Sequence, residues 1–215
     1  NFKDKFKYYD KFVGVSQGVI EPFMVSSGIY DPEKFTVIQN TIDTGEIYQK
    51  AGEALDFSPD PGKLNFVALG RLCHQKGYDI MLELFAKAAG YRDDLHLYII
   101  GDGDKRFALE YQRDSLGLTD KVTFLGQQTN PFKYMDRMDA FVSTSRYEGQ
   151  PLNIMEAKAL GLPLYCTKNL ERYSRGLVGR EDMLDAIVKA RRVPKQRDDL
   201  RQYNAEIINS IKALA

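Results

Sequence analysis

From residue 64 to residue 167 the chain alternates short apolar runs, rich in β-branched and aromatic residues, with longer stretches whose apolar positions recur at helical spacing. The runs cover 65–70, 95–100, 122–125, 140–143 and 164–166. The helical patterns cover 77–89, 104–116 and 151–160, with two more at 180–192 and 196–214. A strand that is apolar along its whole length must be covered on both faces, and parallel strands need a long crossover between them. The pattern therefore predicts an α/β fold, a doubly wound, Rossmann-like parallel sheet of five strands. Ligands of such sheets bind outside the carboxyl ends of the strands, so the segments leaving those ends hold the candidate chemistry.

The first sixty residues follow a different rhythm. Two strands, 11–16 and 35–39, flank a helix over 17–27. The segment Asp56-Phe57-Ser58-Pro59-Asp60-Pro61-Gly62 then carries linker chemistry, and a domain boundary is expected within 41–62. A length of 215 residues accommodates one generous α/β domain, or one domain with part of another. Thirty basic residues balance thirty acidic ones, so no global charge draws the chain to nucleic acid. Cys73, Cys166, His74 and His96 stand in no metal-ligand spacing. No disulfide framework or metal is expected, and a reducing, cytoplasmic compartment is. No apolar run reaches the roughly 18 residues of a membrane span. The opening Asn1-Phe2-Lys3 reads as an internal point of a longer product.

Four signals, carried by three segments at strand ends, point to function. Between Glu148 and Gly161, Pro151 suits the start of a helix and Gly161 its end. Leu152, Met155, Glu156, Ala159 and Leu160 share one face of that helix. Glu156 is thus a carboxylate on a stripe expected to face the sheet, where lack of a partner is costly. Its partner is either a buried arginine or, the preferred reading, the hydroxyls of a ligand such as a ribose. Glu148 is expected at the same edge, gripping another hydroxyl-rich part of that ligand. Backbone N–H groups of Gly149, Leu152 and Asn153 lie at the helix start, which favours an anionic oxygen.

After the first strand of the pattern, Gly70-Arg71-Leu72-Cys73-His74-Gln75-Lys76-Gly77 puts Arg71 at the strand's end and Lys76 at the start of the next helix. A lysine there is disfavoured without an anion nearby, and a diphosphate suits both cations. Gly101-Asp102-Gly103 follows the next strand as a tight turn that lets a ligand approach the sheet edge. It lacks the third glycine of a dinucleotide fingerprint, which argues against NAD.

Together these segments resemble the group 1, or family 4, retaining glycosyltransferases of the GT-B class. Strand-G-R-L-x-x-x-K-G, I-I-G-D-G, V-x-F-L-G and S-x-x-E-G-x-P-L-x-x-x-E-A-x-A-x-G-L-P occur here in the family's order, most strongly over 64–167. The resemblance implies that 63–215 is the nucleotide-sugar-binding, C-terminal half of a GT-B enzyme. It makes 46–62 the interdomain linker and 1–45 a remnant of the acceptor-side domain. It implies that Arg71 and Lys76 neutralise the donor diphosphate, that Glu156 holds the ribose, and that Glu148 meets the transferred sugar. Gly149, Leu152 and Asn153 contact sugar or phosphate, and Gly126-Gln127-Gln128 meets the base. The donor is a substrate, UDP-linked by preference, and no metal or other cofactor is implied. The acceptor is a glycan or lipid-linked sugar bound by a domain outside this chain, so the chain alone is expected to be inactive. The site of action is cytoplasmic, extending to the inner face of a membrane.

The residues 167–173 are bulkier than the family's usual loop, and neither His74 nor His96 matches its reaction-centre histidine. An epimerase of the same architecture and a non-catalytic sugar-nucleotide-binding module are the alternative readings. Lys3, Lys5 and Lys7 between Phe2, Phe6 and Tyr8 read as an amphipathic segment, with contact to anionic lipid as the less favoured reading. The basic residues Lys189, Arg191, Arg192, Lys195 and Arg197 read as a solvated helix end. Residues 1–40 leave strand edges open to self-association.

Overall fold

A computed structural model describes residues 5, 6, 8–170 and 180–213. Phe2, Lys3 and Lys7 of the amphipathic opening, and 171–173 of the bulky loop, lie outside them. The chain forms two compact units. The first comprises Asn1–Ile42, Glu148–Pro151 and Leu200–Ala215, and the second Asp43–Tyr147 and Leu152–Asp199.

In the first unit β1 (Phe12–Gly14), α1 (Gln17–Ser27) and β2 (Phe35–Val37) form a small parallel βαβ unit, with Phe12 opposite Phe35. The rings of Phe6, Phe12, Phe23 and Phe35 make its apolar centre, and Phe12 stacks on Phe35 at 5.3 Å.

The second unit begins with α2 (Thr44–Ala51), which the sequence reading had as boundary and linker. It continues through β3 (Leu64–Leu69), α3 (Tyr78–Ala89), β4 (Leu95–Ile100), α4 (Arg106–Ser115), β5 (Val122–Gly126), α5 (Phe132–Met135), β6 (Ala140–Ser143), α6 (Leu152–Ala159), β7 (Leu164–Cys166) and α7 (Arg180–Lys189). The last helix, α8 (Arg201–Lys212), belongs to the first unit. There the Asn204 amide exchanges hydrogen bonds with the backbone of Ile42 at 2.9 and 2.8 Å.

All five strands of the large sheet run parallel in the order β5-β4-β3-β6-β7. Phe66, Ala68, Leu97, Ile99 and Val142 pack in one core with Met81, Leu82 and Phe85 of α3 and Met183 and Ile187 of α7. The alternate positions Val67, Ile100 and Phe141 are fully buried as well, so both faces are covered, as the apolar runs required. Each large side chain so buried contributes on the order of 2 kcal/mol. The chain moves outward from β3 through β4 to β5, then returns to β6 on the other side of β3. The β3–β6 junction is therefore the topological switch point, where the crevice of such a sheet opens.

One further expectation is corrected. On α6, Ile154 and Ala157 are fully buried while Leu152 is exposed, so the buried surface is not the narrow stripe that was read. The helix packs on β6 and β7 and also against α2, which covers a second side. The basic residues near 190 lie at and just beyond a helix end, with Lys189, Arg191, Arg192 and Arg197 exposed. The helix stops at Lys189, and each later cation is tied down: Arg191 Nη1 donates to the Ala190 carbonyl at 2.8 Å, Arg192 Nε to Asp139 at 2.6 Å, and Lys195 to the Asp136 carbonyl. Arg197 pairs with Asp136 at 3.1 Å and lies 5.0 Å from the Tyr48 ring. No helix among the described residues is long and apolar enough to cross a membrane.

Candidate functional site

Three loops meet at the carboxyl edge of the large sheet, and their backbones touch. Gly101 has φ +140°, and a Cβ there would lie 2.0 Å from the Gly70 carbonyl oxygen; one on Gly103 would lie 2.5 Å from that of Leu72. Glycine is therefore required in the turn after β4, and what approaches Gly103 is the loop after β3. Leu72 N–H donates to the Asp102 carbonyl and Lys105 N–H to that of Leu72, both at 2.9 Å.

The loop after β3 carries the proposed cations. Arg71 is exposed, and among the described residues its guanidinium has no hydrogen bond or ion pair. Lys76 is not in the first turn of α3, as the sequence suggested. It ends a short 3-10 turn, His74–Lys76, and Gly77 separates it from the helix in a left-handed conformation, φ 65° and ψ 29°. The Lys76 stem lies over Gly70, its Cε 3.1 Å from where a Cβ would stand.

The loop after β6 locks onto this one. Thr144 Oγ1 donates to the Gly77 carbonyl at 2.7 Å, Arg146 N–H to that of Gln75 at 2.8 Å, and Gln75 Nε2 to that of Tyr147 at 3.1 Å. The start of α6 is pinned to the end of β3. Asn153 Nδ2 donates to the Leu69 carbonyl at 2.6 Å, while its Oδ1 accepts from Ile154 N–H at 3.0 Å. The Asn153 side chain is thus a fastener, and only its backbone remains for a ligand.

One turn further along α6 stands Glu156, half-buried, with no hydrogen bond or ion pair to its carboxylate among the described residues. Burial raises its carboxyl above the usual carboxylate range, and the charge of Lys76 pulls it partly back. The arginine partner weighed from sequence is absent among the described residues; the cation acting on Glu156 is Lys76.

At the far edge of the sheet, Gly126 ends β5 with φ +70°, and Gln127 is exposed. Gln128 Nε2 donates to the Leu125 carbonyl at 2.6 Å. Arg106 Nη1 lies 3.4 Å from where a Gly126 Cβ would be, and its guanidinium sits 5.9 Å from the Phe124 ring. The structure thus gathers Arg71, Lys76, Gly103, Asn153 and Glu156 around the switch point, with Leu152 at the start of α6 and Gly126 and Gln127 two strands away.

Glu148 and Gly149 belong to the first unit. Glu148 is half-buried, and a Cβ on Gly149 would come 2.9 Å from Val19 Cγ2. Sequence reasoning gave no role to their neighbour Gln150. Its Oε1 accepts from Asn40 N–H at 2.7 Å, and its Nε2 donates to the Asn40 carbonyl at 3.1 Å and to Tyr203 Oη at 2.7 Å. His96 sits near the amino end of β4, at the opposite edge of the sheet from these loops. No group of three or more metal-ligating side chains is found among the described residues.

The sequence and the fold have counterparts among known proteins. The family model for glycosyl transferases group 1 matches residues 56–173, more than half of the chain. A Campylobacter jejuni N-acetylgalactosamine-N,N'-diacetylbacillosaminyl-diphospho-undecaprenol 4-alpha-N-acetylgalactosaminyltransferase is 31% identical over 153 residues, 71% of this chain and 40% of that protein. The lipopolysaccharide core biosynthesis glycosyltransferase LpsE of Rhizobium meliloti is 29% identical over 133 residues, 62% of this chain and 37% of that protein. The chain therefore spans well under half the length of these curated relatives. Among solved structures, Anabaena Alr3699/HepE in complex with UDP and glucose superposes with a TM-score of 0.71 at 19% identity, covering 95% of this chain and 63% of that one. The fold is the Rossmann-like α/β fold of GT-B glycosyltransferases, and the chain belongs to the group 1 glycosyltransferase family.

Proposed function

We propose that this chain is the donor-binding half of an enzyme that moves a sugar from a nucleoside diphosphate, UDP by preference, to a glycan or lipid-linked acceptor in surface-polysaccharide assembly. The observation that carries the reading is Glu156, a half-buried carboxylate at the switch point with no hydrogen-bond partner among the described residues, under the charge of Lys76. Such a carboxylate is an acceptor awaiting donors, and the vicinal hydroxyls of a ribose supply them. Arg71 and Lys76 neutralise the diphosphate and the charge that grows as it leaves. Glu148 meets the transferred sugar, and backbone amides of Gly149, Leu152 and Asn153 take sugar or phosphate oxygens. The Gly126-Gln127 loop receives the base, and the Gly103 turn supports the phosphate side. A nucleotide-sugar already carries a good leaving group, so positioning and charge stabilisation suffice without a metal. Transfer proceeds with retention of configuration, on the family's analogy.

UDP in the HepE structure and the diphospho-undecaprenol-linked acceptor in the Campylobacter enzyme's name support the choice of donor and acceptor. The acceptor pocket lies on a domain outside this chain. The chain alone therefore binds donor without transferring it, and the whole enzyme works in the cytoplasm beside the membrane that holds its acceptor. Calorimetric titration with UDP, GDP, ADP and their sugar conjugates tests the reading. One nucleotide should bind saturably, with Glu156→Ala and Arg71→Ala each weakening it roughly tenfold or more, the scale of a lost charged hydrogen bond. A folded chain that binds none of the panel would refute it.

A further inference from the structure

Arg146 has no part in the donor site as proposed, yet it bonds the turn that carries Lys76 from several sides. Its Nη1 donates to the His74 carbonyl at 2.7 Å and to Asp79 Oδ1 at 2.8 Å. Its Nη2 donates to Asp79 Oδ2 at 2.5 Å, and its backbone N–H to the Gln75 carbonyl at 2.8 Å. With Thr144 Oγ1 on the Gly77 carbonyl, residues 74, 75 and 77 are all held by 144–146, on both sides of Lys76. The guanidinium beside Asp79 holds that carboxyl below its usual range, so the pair stays ionised at neutral pH. A planar fork that meets a carboxylate with two bonds and a carbonyl with a third fixes direction as well as distance, which a lysine cannot do.

We propose that Arg146 is a positioning residue for donor binding: through Asp79 and the His74 carbonyl its guanidinium sets the turn that presents Lys76 to the diphosphate. The proposal rests on the donor-site reading above. Fixing the turn before the ligand arrives removes an ordering cost from binding. The test is a double-mutant cycle on the full 215-residue chain, titrated with UDP, using Arg146→Ala, Lys76→Ala and both together.

Arg146→Ala should weaken UDP about tenfold in the wild-type background and less than twofold once Lys76 is alanine. Arg146→Lys should lose nearly as much as alanine, because a point charge does not restore the fork. Circular dichroism and melting curves establish that each variant is folded. Should Arg146→Ala not fold, Arg146→Lys and Asp79→Asn carry the same cycle. Losses that add across the cycle, or full UDP affinity in Arg146→Lys, would overturn the proposal. A wild-type chain that binds GDP or ADP in place of UDP carries the same cycle with that nucleotide, and one that binds none of them would instead bring down the donor-site reading and this proposal with it.

Discussion

Gly77 stands where the Lys76 loop packs against the loop after β6, and replacing it with alanine tests whether that seam is rigid. Three costs fall on the substitution. A left-handed conformation, here φ +65°, costs a residue with a Cβ about 1–2 kcal/mol. The new methyl would also stand 2.3 Å from the Thr144 carbonyl oxygen, against the 3.4 Å or more of ordinary contact. One loop must therefore retreat by about 1 Å, an overpacking strain of roughly 1–3 kcal/mol. The 2.7 Å bond from Thr144 Oγ1 to the Gly77 carbonyl is stretched by the same movement, at about 1 kcal/mol. The expected loss is about 3–6 kcal/mol. Gly117 supplies the control, because it shares the left-handed conformation (φ +68°) but has nothing within 4 Å of its would-be Cβ. Gly117→Ala should cost only the conformational part, about 1–2 kcal/mol. Urea denaturation of both variants reads the difference directly. With a slope of about 2 kcal/mol per molar, Gly77→Ala should unfold at least about 1 M earlier than Gly117→Ala. Equal midpoints would refute the claim that the two loops form an unyielding seam.

Two titrating groups give opposite pH signatures. Burial raises the Glu156 carboxyl above its reference value of 4.5, so the folded chain holds a proton that the unfolded chain releases, and its contribution to stability falls as pH rises beyond 4.5. Glu156→Gln should therefore melt higher than wild type at pH 7.5 and alike at pH 4, while binding nucleotide worse; equal melting at pH 7.5 would contradict this. His96 is shifted below 6.5, first by burial and then by Lys63 and Lys121, and its ring bonds Thr123 Oγ1 at 2.8 Å. Its contribution is complete above pH 6.5 and is lost as pH falls below that value. His96→Gln should flatten the decline in urea midpoint between pH 7 and pH 5, and an unchanged slope would count against the assignment.

The large sheet was legible because its strands are apolar throughout and its turns are glycine-rich. Residues 95–100, 140–143 and 164–166 were read with their observed bounds, and the other two strands begin and end within one residue of the reading. Helix α2 was not legible, because TGEIYQKA is only 8 residues long, carries few apolar residues and adjoins a proline-rich segment. Its one local signal is the cap, Asp43 accepting from Glu46 N–H at 2.9 Å, an acid three residues before another acid. Missing α2 also hid the second covered side of α6, which is why Ile154 and Ala157 were not read as buried. At the site, residue types were readable and their company was not. Arg71 and Lys76 stand out as cations after a strand. That Arg146 grips Asp79, and that Gln150 clasps Asn40, are pairings across 67 and 110 residues of sequence, which local spacing cannot reveal.

The strand order has a consequence for how donor choice can change. Gly126 and Gln127 leave β5, the outer strand of the sheet, while Lys76 and Arg146 belong to the loops after β3 and β6 at its centre. Two strand spacings, about 9–10 Å, separate β5 from β3. At that distance substitutions without shared partners combine nearly independently. Under the donor-site reading proposed above, side chains of the loop after β5 can therefore change without retuning the central seam, so one apparatus would serve different leaving nucleotides through a few edits at the rim.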